Sequence, residues 1–326
     1  MLLQYLPLTQ LNVADDSFRV TFAPNIEALK KSIKSIGVIQ PILARHTVDG
    51  AYQVVCGYKR ILACQALGRQ TIPVLVVPHT DMSPMQAFIT ALHDNVLTRS
   101  LNLLEKSIVC VRLTQTYGVN EDDFVRQYMP LMGESTSYKT LHLLSGLQHL
   151  IEPMKQHVVA TGINLTCAAR IAEFSPSTQQ ALMDVVKHIK PNSTKLNELL
   201  CLIREIASRD AITVEEVLQR YQLLSVVVDN RVSASEKIAA LRQTLKGVRL
   251  PQMIQRKQEF SNLIKSLGLP ETARIATDPY FEDSKMKLQY EFSEPEELST
   301  LIQKLQTAFE THSWDRIFEW YREVLV

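Results

Sequence analysis

The residues best placed to do chemistry are Gly57-Tyr58-Lys59-Arg60, a glycine followed within three positions by two cations, at the opening of a helical stretch. That arrangement suits a phosphate. Glycine lets the backbone come close, the first-turn N–H groups of the helix point at the anion, and lysine and arginine answer its charge. Other chemistries are poorly served. Asp15-Asp16, Asp81 and Asp94 are spread along the chain, whereas a metal-dependent nuclease wants its carboxylates clustered. The cysteines Cys56, Cys64, Cys110, Cys167 and Cys201 form no CxxC pair, which points to buried, reduced thiols in a cytoplasmic protein.

The elements that would position this glycine and its cations are legible in the spacing. Ile26, Leu29, Ile33 and Ile36 mark one apolar helix face, closed by Gly37. Val38–Ala44 and Tyr52–Val55 read as strands around an Asp49-Gly50 turn, Tyr58–Leu67 as a short helix closed by Gly68, and Thr71–Val77 as a strand. Ser83-Pro84 opens a helical stretch, with helices expected over Pro84–Leu97 and Leu103–Tyr117. Asn120 caps a short helix, Glu121–Met129, which Pro130 and Gly133 should interrupt. A helix starting near Ser135 or Thr136 then carries Tyr138, Leu141, Leu144 and Leu147. Two short helices with a tight break suggest a helix-turn-helix.

A chain of 326 residues is expected to hold two or three domains. The expected boundaries are 1–117, 118–224, a basic connector 225–250, and a terminal α+β module 251–326. In that module Met286, Leu288, Tyr290 and Phe292 alternate with polar residues, as in a strand with one buried face. Trp314, Ile317, Phe318 and Tyr321 share a helix face, read as packing or partner surface. No stretch approaches the roughly 18 apolar residues of a membrane span, and no secretory signal is seen, so a membrane is not an expected partner.

Net charge is +1, but it is unevenly placed. Met1–Thr80 holds eight Lys/Arg against four Asp/Glu, and Arg231–Phe260 seven against two. Phe281–Val326 has five basic residues against ten acidic ones. Two regions could therefore attract phosphate, while the last would repel it.

In their order and separation, Gly37-Val38-Ile39-Gln40-Pro41, Gly57-Tyr58-Lys59-Arg60 and Asp94-Asn95 through Leu101-Asn102-Leu103-Leu104-Glu105 resemble the N-terminal domain of ParB-type partition proteins. The resemblance implies a pocket for a nucleoside triphosphate, CTP, with magnesium. Its candidate residues here are Arg19, Gly37, Gln40, Pro41, Gly57, Lys59, Arg60, Asn95 and Arg99, with Asn95 also supporting the metal. Two departures stand out. Tyr58 occupies a position where the family usually has an acid. Leu97 and Thr98 fall where the family has glutamine and arginine, so that Arg99 comes one residue late, a turn of about 100° on a helix. The same fold is shared by sulfiredoxin, whose cysteine follows the glycine; here Cys56 precedes it, and strand alternation should point the thiol elsewhere.

The segment Tyr138-Lys139-Thr140-Leu141-His142-Leu143-Leu144 is similar to the family's recognition helix, and Asn164–Arg170 to the start of the helix that follows. The implied DNA contacts are Ser135, Thr136, Ser137, Tyr138, Lys139, Thr140 and His142. The expected fold class is multidomain α+β. It comprises a small mixed α/β ParB/sulfiredoxin-like domain, an all-α helix-turn-helix domain and a small C-terminal α+β dimerisation-like domain.

The implied function is a site-specific, cytoplasmic DNA-binding protein of chromosome or plasmid partition. It would be a homodimer through its C-terminal domain, with double-stranded DNA as partner. A ParA-like ATPase is the family's further partner, yet the arginine-bearing tail that engages it is not visible, since Met1–Val13 holds no Lys or Arg. Two alternatives stay open: an enzyme of the same fold (nuclease or nucleotide-dependent kinase), and a regulator that does not spread along DNA. Weak triphosphatase activity is compatible with the implied function, and no catalytic residue is named.

Overall fold

A computed structural model describes residues 1–189, 191–229, 231–270, 272–278 and 285–325. The chain forms two compact units, Met1–Asn197 and Glu198–Val326.

The first unit opens with a five-stranded mixed sheet. Its strands are β1 (Leu2–Pro7), β2 (Leu11–Asn12), β3 (Ile42–His46), β4 (Tyr52–Cys56) and β5 (Thr71–Pro78), in the order β1-β5-β3-β4-β2. β5 pairs antiparallel with β1 and parallel with β3. Ile42, Ala44, Ile72 and Val74 are each 0% exposed and build one core with Ile33 of α1 (Glu27–Ile36) and Ile61 of α2 (Tyr58–Ala66). Each fully buried isoleucine or valine side chain among these contributes about 1.5–3 kcal/mol. Val55 and Val77 point to the opposite face and are also buried, and α3 (Pro84–Val96) contacts β4 there.

The expected strand Val38–Ala44 begins later, at Ile42, because Gln40 and Pro41 belong to the turn that leaves α1. β1 was not expected as a distinct strand: Leu2-Leu3 breaks the alternation that would mark it.

α3 starts with a capping box, Ser83 and Gln86 bonding reciprocally, with Pro84 in the first turn. α4 (Leu103–Val111) starts with another, Asn102 with Glu105, and ends in a π-helical segment, Arg112–Thr116. Asn120 caps α5 (Glu121–Asp123), which continues through a π segment, Phe124–Tyr128, into α6 (Met129–Leu131). Pro130 therefore does not interrupt this helical run, contrary to expectation. It follows the wider π turn, which has room for its ring.

The run ends at Gly133, with φ +72°, and the next helix, α7 (Tyr138–Gly146), starts two or three residues later than expected, because Ser137 supplies its cap by accepting from Thr140 N. Ser135 and Thr136 thus lie in the turn. Leu141, Leu144 and Leu147 are buried as the spacing predicts, whereas Tyr138 is exposed. α8 (Glu152–Thr161), α9 (Leu165–Ala172) and α10 (Pro176–Ile189) follow.

The second unit continues with α11 (Ser193–Asp210, entering from the first), α12 (Val214–Arg220), α13 (Leu223–Val228), α14 (Ala234–Arg249) and α15 (Pro251–Ser266). A hairpin of β6 (Ala273–Ala276) and β7 (Lys287–Tyr290) then leads to α16 (Pro295–Glu310) and α17 (Ser313–Leu325). Phe260, Leu267, Ala308, Ile317 and Tyr321 form its terminal core, with Trp314 and Trp320 packed against it.

One expectation changes in this unit, and another is filled in. Leu288 (43%) and Phe292 (52%) are exposed, while Met286 packs against the terminal core, so among the described residues the strand's apolar face is only partly covered. Residues 225–250, expected as a basic connector with helical content, are mostly helix, and most of their cations are engaged rather than free. Arg231 pairs with Asp229, Arg242 and Lys246 with Glu198, and Arg249 with Glu205. The acidic stretch 281–326 begins with four residues, 281–284, that lie outside the described residues.

Candidate nucleotide cleft and DNA-facing helix

Gly57 ends β4 and opens α2 with φ +97°. A Cβ at this position would lie 2.6 Å from Ile42 Cγ2, so only glycine fits. No side chain caps α2. Arg60 N and Ile61 N already bond Gly57 O, which leaves the N–H groups of Tyr58 and Lys59 at the start of the helix for an anion. The glycine faces a cleft of about 240 Å³ whose lining includes Arg19, Gln40, Gly57, Lys59, Arg60, Asn95 and Arg99.

Seven of the nine candidates thus meet in one place. The other two do not line it. Gly37 lines a neighbouring shallow cavity that shares Gln40 and Arg60 with the cleft, and Pro41 acts through its carbonyl.

The cations are held in different ways. Arg60 Nη1 donates to Gln40 O and Pro41 O, both at 2.7 Å, which fastens the Gly37–Pro41 turn to α2. Arg19 Nη1 donates to the Tyr58 hydroxyl at 3.0 Å, with its guanidinium 5.0 Å from the ring centroid. Tyr58 was not among the expected site residues. It adds a neutral partner to Arg19, whose Nη2 also lies 3.8 Å from Asp16 Oδ2, and the two border a second cavity of about 570 Å³ that reaches Arg112 and Lys155.

Arg99, one residue late, still reaches the cleft, but its charge is answered. Nη1 and Nη2 donate to Glu105 at 2.5 and 2.9 Å, and Nη2 also donates to Asn95 Oδ1 at 2.8 Å. The Glu105 side chain is 2% exposed and accepts two further bonds, from Phe22 N and Asn102 N. Arg99 therefore fastens three chain segments around a buried carboxylate. Lys59 is the contrast. Among the described residues it has no ion pair or side-chain hydrogen bond, and its pKa is lowered by burial and then by Arg99, with Glu105 opposing. An incoming anion would relieve both effects.

The fit to magnesium is poor at Asn95. Its Nδ2 donates to Ala91 O, and its Oδ1 already accepts from Arg99, which places a cation where the metal would go. Asp94 also lines the cleft, but no group of three or more His, Cys, Asp or Glu able to hold a metal is found among the described residues. Cys56 is buried, and burial, with Asp94 adding, pushes its thiol pKa up to about 12, so it is an inert core residue.

At α7, Ser135, Thr136, Tyr138, Lys139 and His142 are exposed, while Ser137 and Thr140 are half-buried in the cap. Leu141 and Leu144 fix the opposite face of the helix, which contacts α4 and α9. Two acids of α5 reach this surface, a feature the sequence patterns did not reveal. The Tyr138 hydroxyl donates to Asp122 Oδ1, and His142 Nε2 lies 3.5 Å from Glu121 Oε2. Lys106 of α4 pairs with Glu134, in the turn before α7, at 2.5 Å.

Residues 2–96 match the family described as ParB N-terminal domain. The nucleoid occlusion protein of Halalkalibacterium halodurans is 27% identical over 180 residues, 54% of this chain and 60% of that protein. The probable chromosome 2-partitioning protein ParB of Deinococcus radiodurans is 26% identical over 246 residues, 68% of this chain and 80% of that one. A solved structure of C-terminally truncated ParB from Caulobacter crescentus, complexed with CTP-gamma-S, is 25% identical. That match covers 57% of this chain and 99% of the truncated one, with a TM-score of 0.27. So loose a superposition leaves the assignment to the sequence matches. Residues 2–96 thus carry a ParB N-terminal domain, and the chain is similar to proteins named as ParB and as nucleoid occlusion proteins. It combines that mixed α/β domain with many helices and a small terminal sheet.

Proposed function

We propose that this protein is a site-specific DNA-binding protein of bacterial chromosome or plasmid partition, switched by a nucleoside triphosphate. The observation that carries the reading is the convergence of Arg19, Gln40, Gly57, Lys59, Arg60, Asn95 and Arg99 on one cleft in the ParB-matched domain, with Lys59 left unpaired among the described residues. Relatives named as ParB supply the partition context. The Caulobacter structure with CTP-gamma-S makes CTP the first nucleotide to test.

In this reading the α2 N-terminus and Lys59 hold phosphates, Arg60 braces the Gly37–Pro41 turn, and Arg19 moves from Tyr58 to the nucleotide. Magnesium, if it accompanies the nucleotide, would rest on the phosphates rather than on Asn95. The α7 surface meets double-stranded DNA. The apolar Leu288 and Phe292 support a homodimer through the C-terminal module. No helix among the described residues is long and apolar enough to cross a membrane, and the proposed site of action is the cytoplasm, at the nucleoid or a plasmid.

A second reading, a local regulator whose nucleotide site does not cycle, is favoured by two observations: Tyr58 stands in the acid's position, and Arg99 is consumed by Glu105. Calorimetric titration of the full chain with each nucleoside triphosphate tests the switch. Binding that is lost in Lys59→Met supports the first reading. No binding of any nucleotide, with sequence-selective DNA binding retained, leaves the second.

A further inference from the structure

We propose that Asp122 makes the Tyr138 hydroxyl an acceptor toward DNA, so that α7 prefers adenine or cytosine, whose N6 or N4 amine donates, over guanine or thymine as the base whose major-groove edge Tyr138 meets. This rests on the reading of α7 as the DNA-facing helix. Tyr138 is the first residue of α7, 46% exposed, and its hydroxyl bonds Asp122 Oδ1. An ionised carboxylate only accepts, so the phenol's single proton is committed to it and the remaining lone pairs face outward. The same bond raises the phenol pKa, which keeps that proton in place.

In the major groove the amines of adenine and cytosine donate, whereas guanine N7 and O6 and thymine O4 only accept. A phenol whose proton is already spent discriminates between these sets; a free phenol, able to rotate its proton outward, would not. Glu121 Oε2 lies 3.5 Å from His142 Nε2, one turn further along the same face, and places a second carboxylate at this surface. Lys139, between them, carries its charge to either sequence alike. The carboxylates also bring negative charge near the phosphates, which weakens binding to every sequence. The telling quantity is therefore a ratio between sequences, not an affinity.

The test begins with selection of bound duplexes from a random pool by the full-length chain. Each adenine of the preferred site is then replaced by purine and each cytosine by 2-pyrimidinone, which lack the amine. Binding is measured for the wild type and for Tyr138→Phe. Loss of one amine should weaken wild-type binding by roughly tenfold and leave Tyr138→Phe unaffected at that position. Asp122→Asn, whose amide can donate to the phenol oxygen and free its proton, should move the preference there toward guanine or thymine. Equal losses in the wild type and Tyr138→Phe at every position would overturn the proposal. A chain that selects no sequence overturns the DNA-facing reading and this proposal with it.

Discussion

The two basic regions of the chain, Met1–Thr80 and Arg231–Phe260, carry nearly the same excess of cations and use part of it differently. In the second, Arg231, Arg242, Lys246 and Arg249 each face a carboxylate on their own unit, and Lys237 is buried. In the first, Arg19 and Lys30 also lie beside acids, Asp16 and Glu27, but Lys59 and Arg60 face a cleft, one unpaired by any acid among the described residues and the other bonded only to carbonyls. Net charge counted along a sequence is therefore a poor guide to the field outside it. What decides is whether the fold returns an acid to each cation.

The comparison breaks most visibly where a cation has been internalised. Arg99→Ala leaves Glu105 buried without its partner and should cost about 3–5 kcal/mol, read as a lowered denaturant midpoint for the first unit. An unchanged midpoint would mean the pair is ornamental and Arg99 is free for ligand after all. Lys59→Met should do the reverse. Stability should hold while triphosphate affinity falls roughly 10- to 100-fold in calorimetry, the loss of one charge-assisted contact.

Titration sharpens the same contrast. An anion favours the charged form of Lys59, so triphosphate affinity should fall as pH rises from neutrality through the lysine's pKa, which lies below 10.5. The decline should vanish in Lys59→Arg, whose charge persists across that range. The smallest effect separates the proposed DNA-facing helix, α7, from the second basic region. Lys139→Met should reduce the slope of log affinity against log salt by about one, and Lys246→Met should leave it unchanged. Equal changes in both would return the second basic region to the DNA-binding surface.

Much of the fold was legible because it is written locally. Ser83-Pro84, Asn102 with Glu105, and Asn120 start helices where their caps say they should. Gly57 announced a close backbone approach that Ile42 confirms. The misses came from partners distant in sequence. Glu105 could be read as a capping residue but not as the carboxylate that consumes Arg99, because Arg99, Phe22 and Asn102 meet it only in the folded domain. Pro130 looked like a helix breaker because sequence rules assume an α-helical ladder, not a π turn before it. Asp122 and Glu121 looked like first-turn acids suited to the helix dipole, and their reach to Tyr138 and His142 needed α5 and α7 set side by side.

Arg60 has a consequence in time as well as in space. Because its guanidinium joins two successive carbonyls to α2, the Gly37–Pro41 turn is already assembled before anything enters the cleft. A nucleotide arriving there has little backbone to order, so encounter should be fast and nearly indifferent to the base. Selection among bases then falls to departure. The favoured nucleotide would be known by how long it stays, and a stopped-flow chase would read its identity as a residence time.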